Sequence, residues 1–167
     1  MSFPSRPEYE KLLYGLVDAY PNEIAVSTLR LFSVSALTAT VQGEVQFYNG
    51  LSLRVFEVVD FGLGRVVQYS YTIFAETQRV RWYDPQPHAE IPALAHTFPH
   101  HLHDHPDIKH NRQPAPRISF VQPNIEVLVD DCRELGKRLP EILPNRYAQR
   151  VQYGNRKVYH HLYVDAF

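Results

Sequence analysis

Six of the chain's nine histidines fall between His96 and His110, in the stretch HTFPHHLHDHPDIKH. Imidazoles titrate near neutral pH and ligate transition ions, so such a cluster suits proton transfer or metal binding. His101, His103 and His105 have the His-x-His spacing that suits an extended segment, in which His101 and His103 share a face while His100 and Leu102 take the other, and Asp104 and Asp107 can add oxygens. Pro99 and Pro106 bound the segment, which suits holding imidazoles at a cleft mouth. Two histidines on one face are too few to close a tetrahedral site. A third ligand would have to come from His105, His96 or Glu57. We therefore expect no tightly held structural metal, with a weakly bound divalent ion left open. His100, His101 and His103 are expected on the functional surface. As an acid–base site, one or two of them beside Glu57 and a tyrosine would move a proton during RNA cleavage or another phosphoryl transfer. The third reading is a polar loop whose histidines cap, stack and hydrogen-bond.

Glu57 is the other informative residue. It sits in LSLRVFEVVDF, where Leu53, Val55 and Val59 set an apolar alternation that Glu57 interrupts. A buried carboxylate must be paired, hydrogen-bonded or protonated. An ion pair with Arg81 or Arg54 is one reading; a general acid or base, or a metal ligand, is the other. Glu57 is expected to face the interior with a positively charged or hydroxyl partner. Nearby segments supply Tyr69, Tyr71, Arg79, Arg81, Tyr83 and Asp84. Tyrosines on a sheet usually pack with a wet hydroxyl, but arginine and tyrosine together can hold a phosphate. Tyr71, Arg81 and Tyr83 are the candidates for that role. There is no Gly-rich phosphate loop, nucleophile elbow, Cys-x-x-Cys pair or His-Glu-x-x-His.

The elements that must position these groups follow from periodicity. Ser5-Arg6-Pro7-Glu8 opens a helix through a capping box, with Tyr9, Leu12, Leu13, Leu16 and Val17 on its apolar stripe and Pro21 ending it. Period-two patterns predict strands at 24–32, 37–47, 51–61, about 65–75 and 79–83. Tyr48-Asn49-Gly50 is expected as a three-residue loop with Gly50 left-handed, since a two-residue turn would set Leu53 and Val55 opposite Gln46 and Glu44. The segment from Asp84 to Arg117 holds seven prolines and no period. It reads as a long loop, ordered and packed across the sheet through Ile91, Leu94 and Phe98. A short strand at 118–120 and a helix over 123–139 follow. Gly154-Asn155 suggests a small hairpin in the tail, which also carries His160 and His161. The fold class is α+β: an antiparallel five-stranded meander with an N-terminal and a C-terminal helix on one face and a long Pro/His-rich loop. The whole chain reads as a single domain, with a core over about 5–140 and an extension over about 141–167.

Composition narrows the setting. The 167 residues carry a net charge of −1, which argues for no global nucleic-acid or membrane affinity. The lone Cys132 allows no intrachain disulfide, and no signal peptide or membrane-length apolar run is seen. A cytoplasmic protein with no membrane partner is expected.

The order of these parts resembles a known family. The N-terminal amphipathic helix, "FEVVD", "YSYTIF", "VRWYD", "FPHHLH" and a helix opening "NIEVLVDD" are similar to small bacterial and archaeal proteins, some of them TumE-type toxin components of toxin–antitoxin modules. Their "YSYHY", "RYDN" and "PHH…FPHHKH" segments correspond to Tyr69-Ser70-Tyr71, to Arg81-Trp82-Tyr83-Asp84, and to His88 with Phe98-Pro99-His100-His101-Leu102-His103. The resemblance covers roughly 8–138. "RWYDP" departs from "RYDN", and Leu102 replaces a basic residue. It implies a toxin with a cognate antitoxin partner.

Two classes of function remain. In the first, a nuclease-like enzyme, Glu57 with His100, His101 and His103 moves protons while Tyr71, Arg81 and Tyr83 hold phosphate on a nucleic-acid substrate. In the second, a non-catalytic interaction module docks an antitoxin, or forms a homodimer through a sheet edge. Convergence of the named residues in one cleft would favour the first.

Overall fold

The computed structural model describes residues 2–142. Its first compact unit, Met1–Lys137, contains one eight-stranded antiparallel sheet. The strands are β1 (Ile24–Ser27), β2 (Arg30–Ser33), β3 (Thr38–Phe47), β4 (Leu51–Asp60), β5 (Arg65–Ala75), β6 (Gln78–Asp84), β7 (His101–Asp104) and β8 (Arg112–Pro114). They pair in the order β1-β3-β4-β5-β6-β7-β8, and β2 also pairs with β3. The helices are α1 (Arg6–Tyr14), α2 (Leu16–Ala19) and α3 (Ile125–Ile142). Only the last turn of α3 represents the second unit, Arg138–Phe167. The tail hairpin expected at Gly154-Asn155, with His160 and His161, lies outside the described residues.

The meander from β3 to β6 follows the period-two reading closely. Ala39, Val41, Val45 and Phe47 are buried, as are Leu51, Leu53, Val55 and Val59 on β4. Gly50 has φ +89° and its N–H meets the Phe47 carbonyl at 3.1 Å, so the three-residue loop forms as expected. The count of five strands is corrected to eight, for two reasons. The first expected strand divides at Thr28-Leu29 into β1 and β2, which pair with β3 on either side of Gly43. The proline-rich segment supplies β7 and β8, because β6 otherwise leaves a row of unpaired backbone groups at the sheet edge. That segment is thus not a single loop across the sheet. It extends the sheet's plane, with Leu94 buried in a 3-10 turn over Pro92–Thr97 and Phe98 left exposed. The expected strand at 118–120 does not form, although the Phe120 carbonyl accepts the Val66 N–H at 2.8 Å.

The N-terminal helix breaks once, at Gly15, into α1 and α2. Its start is fixed as expected: the Glu8 carboxylate accepts the Ser5 N–H at 2.8 Å and the Ser5 hydroxyl at 2.5 Å. The stripe of α3, Ile125, Leu128, Val129, Cys132 and Leu135, is buried. A side chain from α1 and another from α3 reach the same apolar sheet face: Tyr9 bonds Glu57 on β4, and Asp131 bonds Tyr83 on β6.

Two glycines differ in what they require. A Cβ on Gly43, at φ +143°, would sit 2.5 Å from the Thr28 carbonyl oxygen, whereas one on Gly50 would meet nothing within 4 Å. Gly50→Ala should therefore cost only the left-handed backbone term, about 1–2 kcal/mol. Gly43→Ala should cost more, because the β1–β2 junction must also move. Urea unfolding of both variants checks this; equal losses would count against it.

Candidate functional site

Alternation along the strands sorts the candidate residues onto two faces. The helix-covered face carries Glu57, Tyr69, Tyr71, Arg81, Tyr83 and Asp104. The open face carries Trp82, Asp84, His101 and His103, since Asp84 pairs with His101 and Trp82 with His103 across β6 and β7. His101 and His103 share a side while Leu102 takes the other, as expected. The cleft that would gather Glu57 with His101 and His103 does not form, because the sheet separates them.

On the covered face, Glu57 is 2 % exposed. Its partners are hydroxyls and not arginines: Tyr9 donates to Oε2 at 2.5 Å and Tyr71 donates to Oε1 at 2.5 Å. Asn124 Nδ2 donates to the Tyr71 hydroxyl at 2.9 Å and to the Ser119 carbonyl at 2.9 Å. One polar chain thus runs from α1 through β4 and β5 to the residue before α3. Burial holds the Glu57 carboxyl above its ordinary range, and the two tyrosine hydrogen bonds pull it back down. Burial, then the Glu57 charge, pushes both tyrosine hydroxyls well above theirs.

Arg81 and Tyr83 occupy the next part of that face. Arg81 makes a two-pronged contact with Asp104, Nε to Oδ1 at 3.2 Å and Nη2 to Oδ2 at 2.9 Å. Its other nitrogen lies 4.0 Å from Asp131, which also accepts from Tyr83 and Arg117. Burial works against the Arg81 charge, but Asp104 and the neighbouring Tyr83 outweigh it and hold the guanidinium above its ordinary range. The cation is thus already met by carboxylates, and Tyr71 and Tyr83 are fully buried.

His100 precedes β7 and turns to the covered face. Its Nδ1 lies 2.8 Å from the Tyr69 hydroxyl, and its ring meets Phe120 edge-on at 4.6 Å. Burial, then the neighbouring His101, keeps this imidazole below its usual range.

The open face holds the tightest chemical cluster. His101 is 1 % exposed, His103 3 % and Asp84 7 %. The two Nε2 atoms stand 3.0 Å apart. Asp84 Oδ1 lies 3.4 Å from His101 Nε2, and Oδ2 lies 3.6 Å from His103 Nε2. Trp82 stacks on His103 at 4.7 Å and His88 meets His101 edge-on at 4.9 Å. Burial, then His101, keeps His103 below the usual imidazole range. Among the described residues this is the one group of three His, Cys, Asp or Glu side chains whose donor atoms converge as metal ligands would. Two imidazoles and a carboxylate can share a proton, bind a transition ion or activate a bound water.

Asp84 as the third member was not legible in the sequence. The sources the sequence offered were His105, His96, Glu57, Asp104 and Asp107, whereas the partner comes across the β6–β7 ladder. Nothing short of knowing that HLHD pairs with RWYD reveals it. Tyr9, Asn124 and Asp131 were missed for the same reason. Asn124 had one visible signal, its place just before the apolar stripe of α3, where a helix-capping side chain is preferred.

A family model described as toxin TumE matches residues 14–136, which include every residue of both faces named above except Tyr9. No curated protein and no solved structure matches the chain.

Removing the Glu57 carboxylate strands two buried hydroxyls. Glu57→Ala should cost about 2–5 kcal/mol, and Glu57→Gln clearly less. The pH dependence has a definite sign. Because the folded-state pKa is raised, the protonated carboxyl stabilises the fold fully below the ordinary value of 4.5, and that stability drains away as pH rises toward the folded value. The wild type should therefore lose ground against Glu57→Gln between pH 4.5 and neutrality. Urea titrations across that range check it; a gap that moves the other way would refute the assignment.

Proposed function

The chain belongs to the TumE toxin family, and we propose that it acts as the toxin of a toxin–antitoxin module through a nuclease-like reaction centred on Asp84, His101 and His103. The observation that carries this reading is the cluster itself, a buried carboxylate beside two imidazoles whose Nε2 atoms are 3.0 Å apart. Phosphodiester cleavage needs a proton drawn from the attacking hydroxyl or water and one returned to the leaving oxygen. The cluster supplies groups for both. Around it the open face offers rings and cations: Arg54 lies over Phe74 at 4.9 Å and Arg79 over Trp82 at 5.5 Å. Such pairs suit the bases and phosphates of a single strand. The net charge of −1 gives no broad electrostatic grip, so recognition rests on these local groups.

In this reading Glu57 and Tyr71 hold the covered face together and do not touch substrate. Arg81 and Tyr83 position β6, and through it Asp84. His100 orients the start of β7 through Tyr69.

A second reading, an antitoxin-docking module without chemistry, is favoured by exposed apolar side chains around β2 and the neighbouring turns. Phe32 is 52 % exposed, Val34 64 %, Leu37 57 % and Leu63 70 %. A groove of about 480 Å³ lined by Leu13, Tyr14, Val17 and Leu29 lies nearby. Docking of an antitoxin at this end is itself compatible with the first reading, since the cluster stands at β6–β7. No described helix is long and apolar enough to cross a membrane.

Induced expression of the chain in a bacterial host, with RNA integrity followed by electrophoresis, tests the proposal. His101→Ala and His103→Ala should relieve growth arrest and lower RNA cleavage by about 10²–10⁴-fold, while Glu57→Gln, if folded, should stay within a few-fold of wild type. Full toxicity in both histidine variants would overturn the reading.

A further inference from the structure

We propose that Asp84, His101 and His103 form a binding site for a divalent first-row transition ion of the zinc or ferrous iron kind. The geometry comes first. Ligand atoms about 2.0–2.2 Å from one ion stand roughly 3.0–3.5 Å from each other in tetrahedral or octahedral arrangements. The two imidazole nitrogens are 3.0 Å apart, and the carboxylate oxygens lie 3.4 Å and 3.6 Å from them. An ion fits between these donors with adjustments of a few tenths of an ångström.

Two of the three donors are held from behind as a metal site requires, while His103 Nδ1 is buried with no hydrogen-bond partner. His101 Nδ1 donates to the Pro99 carbonyl at 3.2 Å, which leaves a bare Nε2 facing inward in the neutral ring. Asp84 Oδ1 accepts the Gln86 N–H at 2.8 Å, so the carboxylate is anchored by one oxygen. Its Oδ2 is buried and has no hydrogen-bond partner. A single shared proton between the imidazoles would satisfy the two Nε2 atoms and leave Oδ2 unmet at 3.6 Å. An ion addresses all three donors at once. Arg112, opposite His103 on β8, brings a positive charge that works against the ion, and the Asp84 carboxylate offsets it.

The donor set names the class of ion. Two imidazoles with one carboxylate suit zinc, iron, cobalt or nickel, whereas calcium and magnesium prefer oxygen alone. Three protein ligands leave at least one position for water or substrate, as in catalytic and not structural sites. The use of that position rests on the nuclease reading above: an ion there would lower the pKa of a bound water and so supply the base that attack on phosphorus requires. The presence of the ion does not rest on that reading.

The test uses the full-length chain, treated with chelator, dialysed and titrated with Zn²⁺ or Co²⁺ alone. One ion per chain is expected, with visible Co²⁺ absorption bands and a raised unfolding temperature. Asp84→Asn, His101→Ala and His103→Ala should each weaken binding by at least about 100-fold, while replacing both His160 and His161 should not. Circular dichroism confirms that each variant is folded, and the near-isosteric Asp84→Asn decides if a histidine variant is not. Folded wild type that binds neither ion in molar excess overturns the proposal. So does binding that survives Asp84→Asn and both histidine variants. Toxicity that depends on His101 in a chain binding no ion would sink the ion and spare the nuclease reading; one bound ion with toxicity indifferent to His101 would do the reverse.

Discussion

The Glu57 carboxylate, with the Tyr9 hydroxyl on one oxygen and the Tyr71 hydroxyl on the other, is a group that a protein interior accepts only while both donors stay in place. That condition ties together parts of the chain far apart in sequence. Tyr9 must arrive on α1, so the N-terminal helix has to lie on this face. Tyr71 must stand diagonally across the ladder from Glu57, so β4 and β5 must keep their register. Asn124, holding the Tyr71 hydroxyl and the Ser119 carbonyl, sets where α3 begins. An apolar side chain at position 57 would have packed without specifying any of these relations.

The sheet then divides the polar chemistry in two. On the covered face the charged groups named above have internal partners: Glu57 has its tyrosines, and Arg81 has Asp104 and Asp131. On the open face the answers run short, with Asp84 Oδ2 left unmet beside two imidazoles. Groups satisfied by their own fold are poor candidates for handling a ligand, because binding would have to displace a good contact. Groups left wanting are better ones.

Much of the fold was legible because it repeats every two residues. The β3–β6 meander, the three-residue Tyr48-Asn49-Gly50 loop and the burial of Glu57 all follow from that period and from the turn it demands. The same logic failed where the period was hidden. HLHD sets its histidines on one face and Leu102 on the other, so it looks like a polar loop until β6 gives it a ladder. The strand expected over 24–32 was one run by composition but two by geometry, since the close approach of Thr28 to Gly43 is a property of the pair. For the candidate site, His101 and His103 could be placed on one side from alternation alone. Asp84 could not, because its relation to them is a cross-strand register that no single segment carries. Glu57 was found for a sound reason, and of the cation or hydroxyl expected beside it the hydroxyl is what the fold supplies; which tyrosines provide it was hidden, because hydroxyls on distant elements leave no local mark.

The final strand, β8, is three residues long and ends at Pro114. Proline carries no N–H, and so short a strand offers few backbone groups to pair with. Among the described residues this makes the edge just beyond the histidines a poor template for another strand. The margin nearest the imidazoles is thus blunted against pairing with a second copy of the chain.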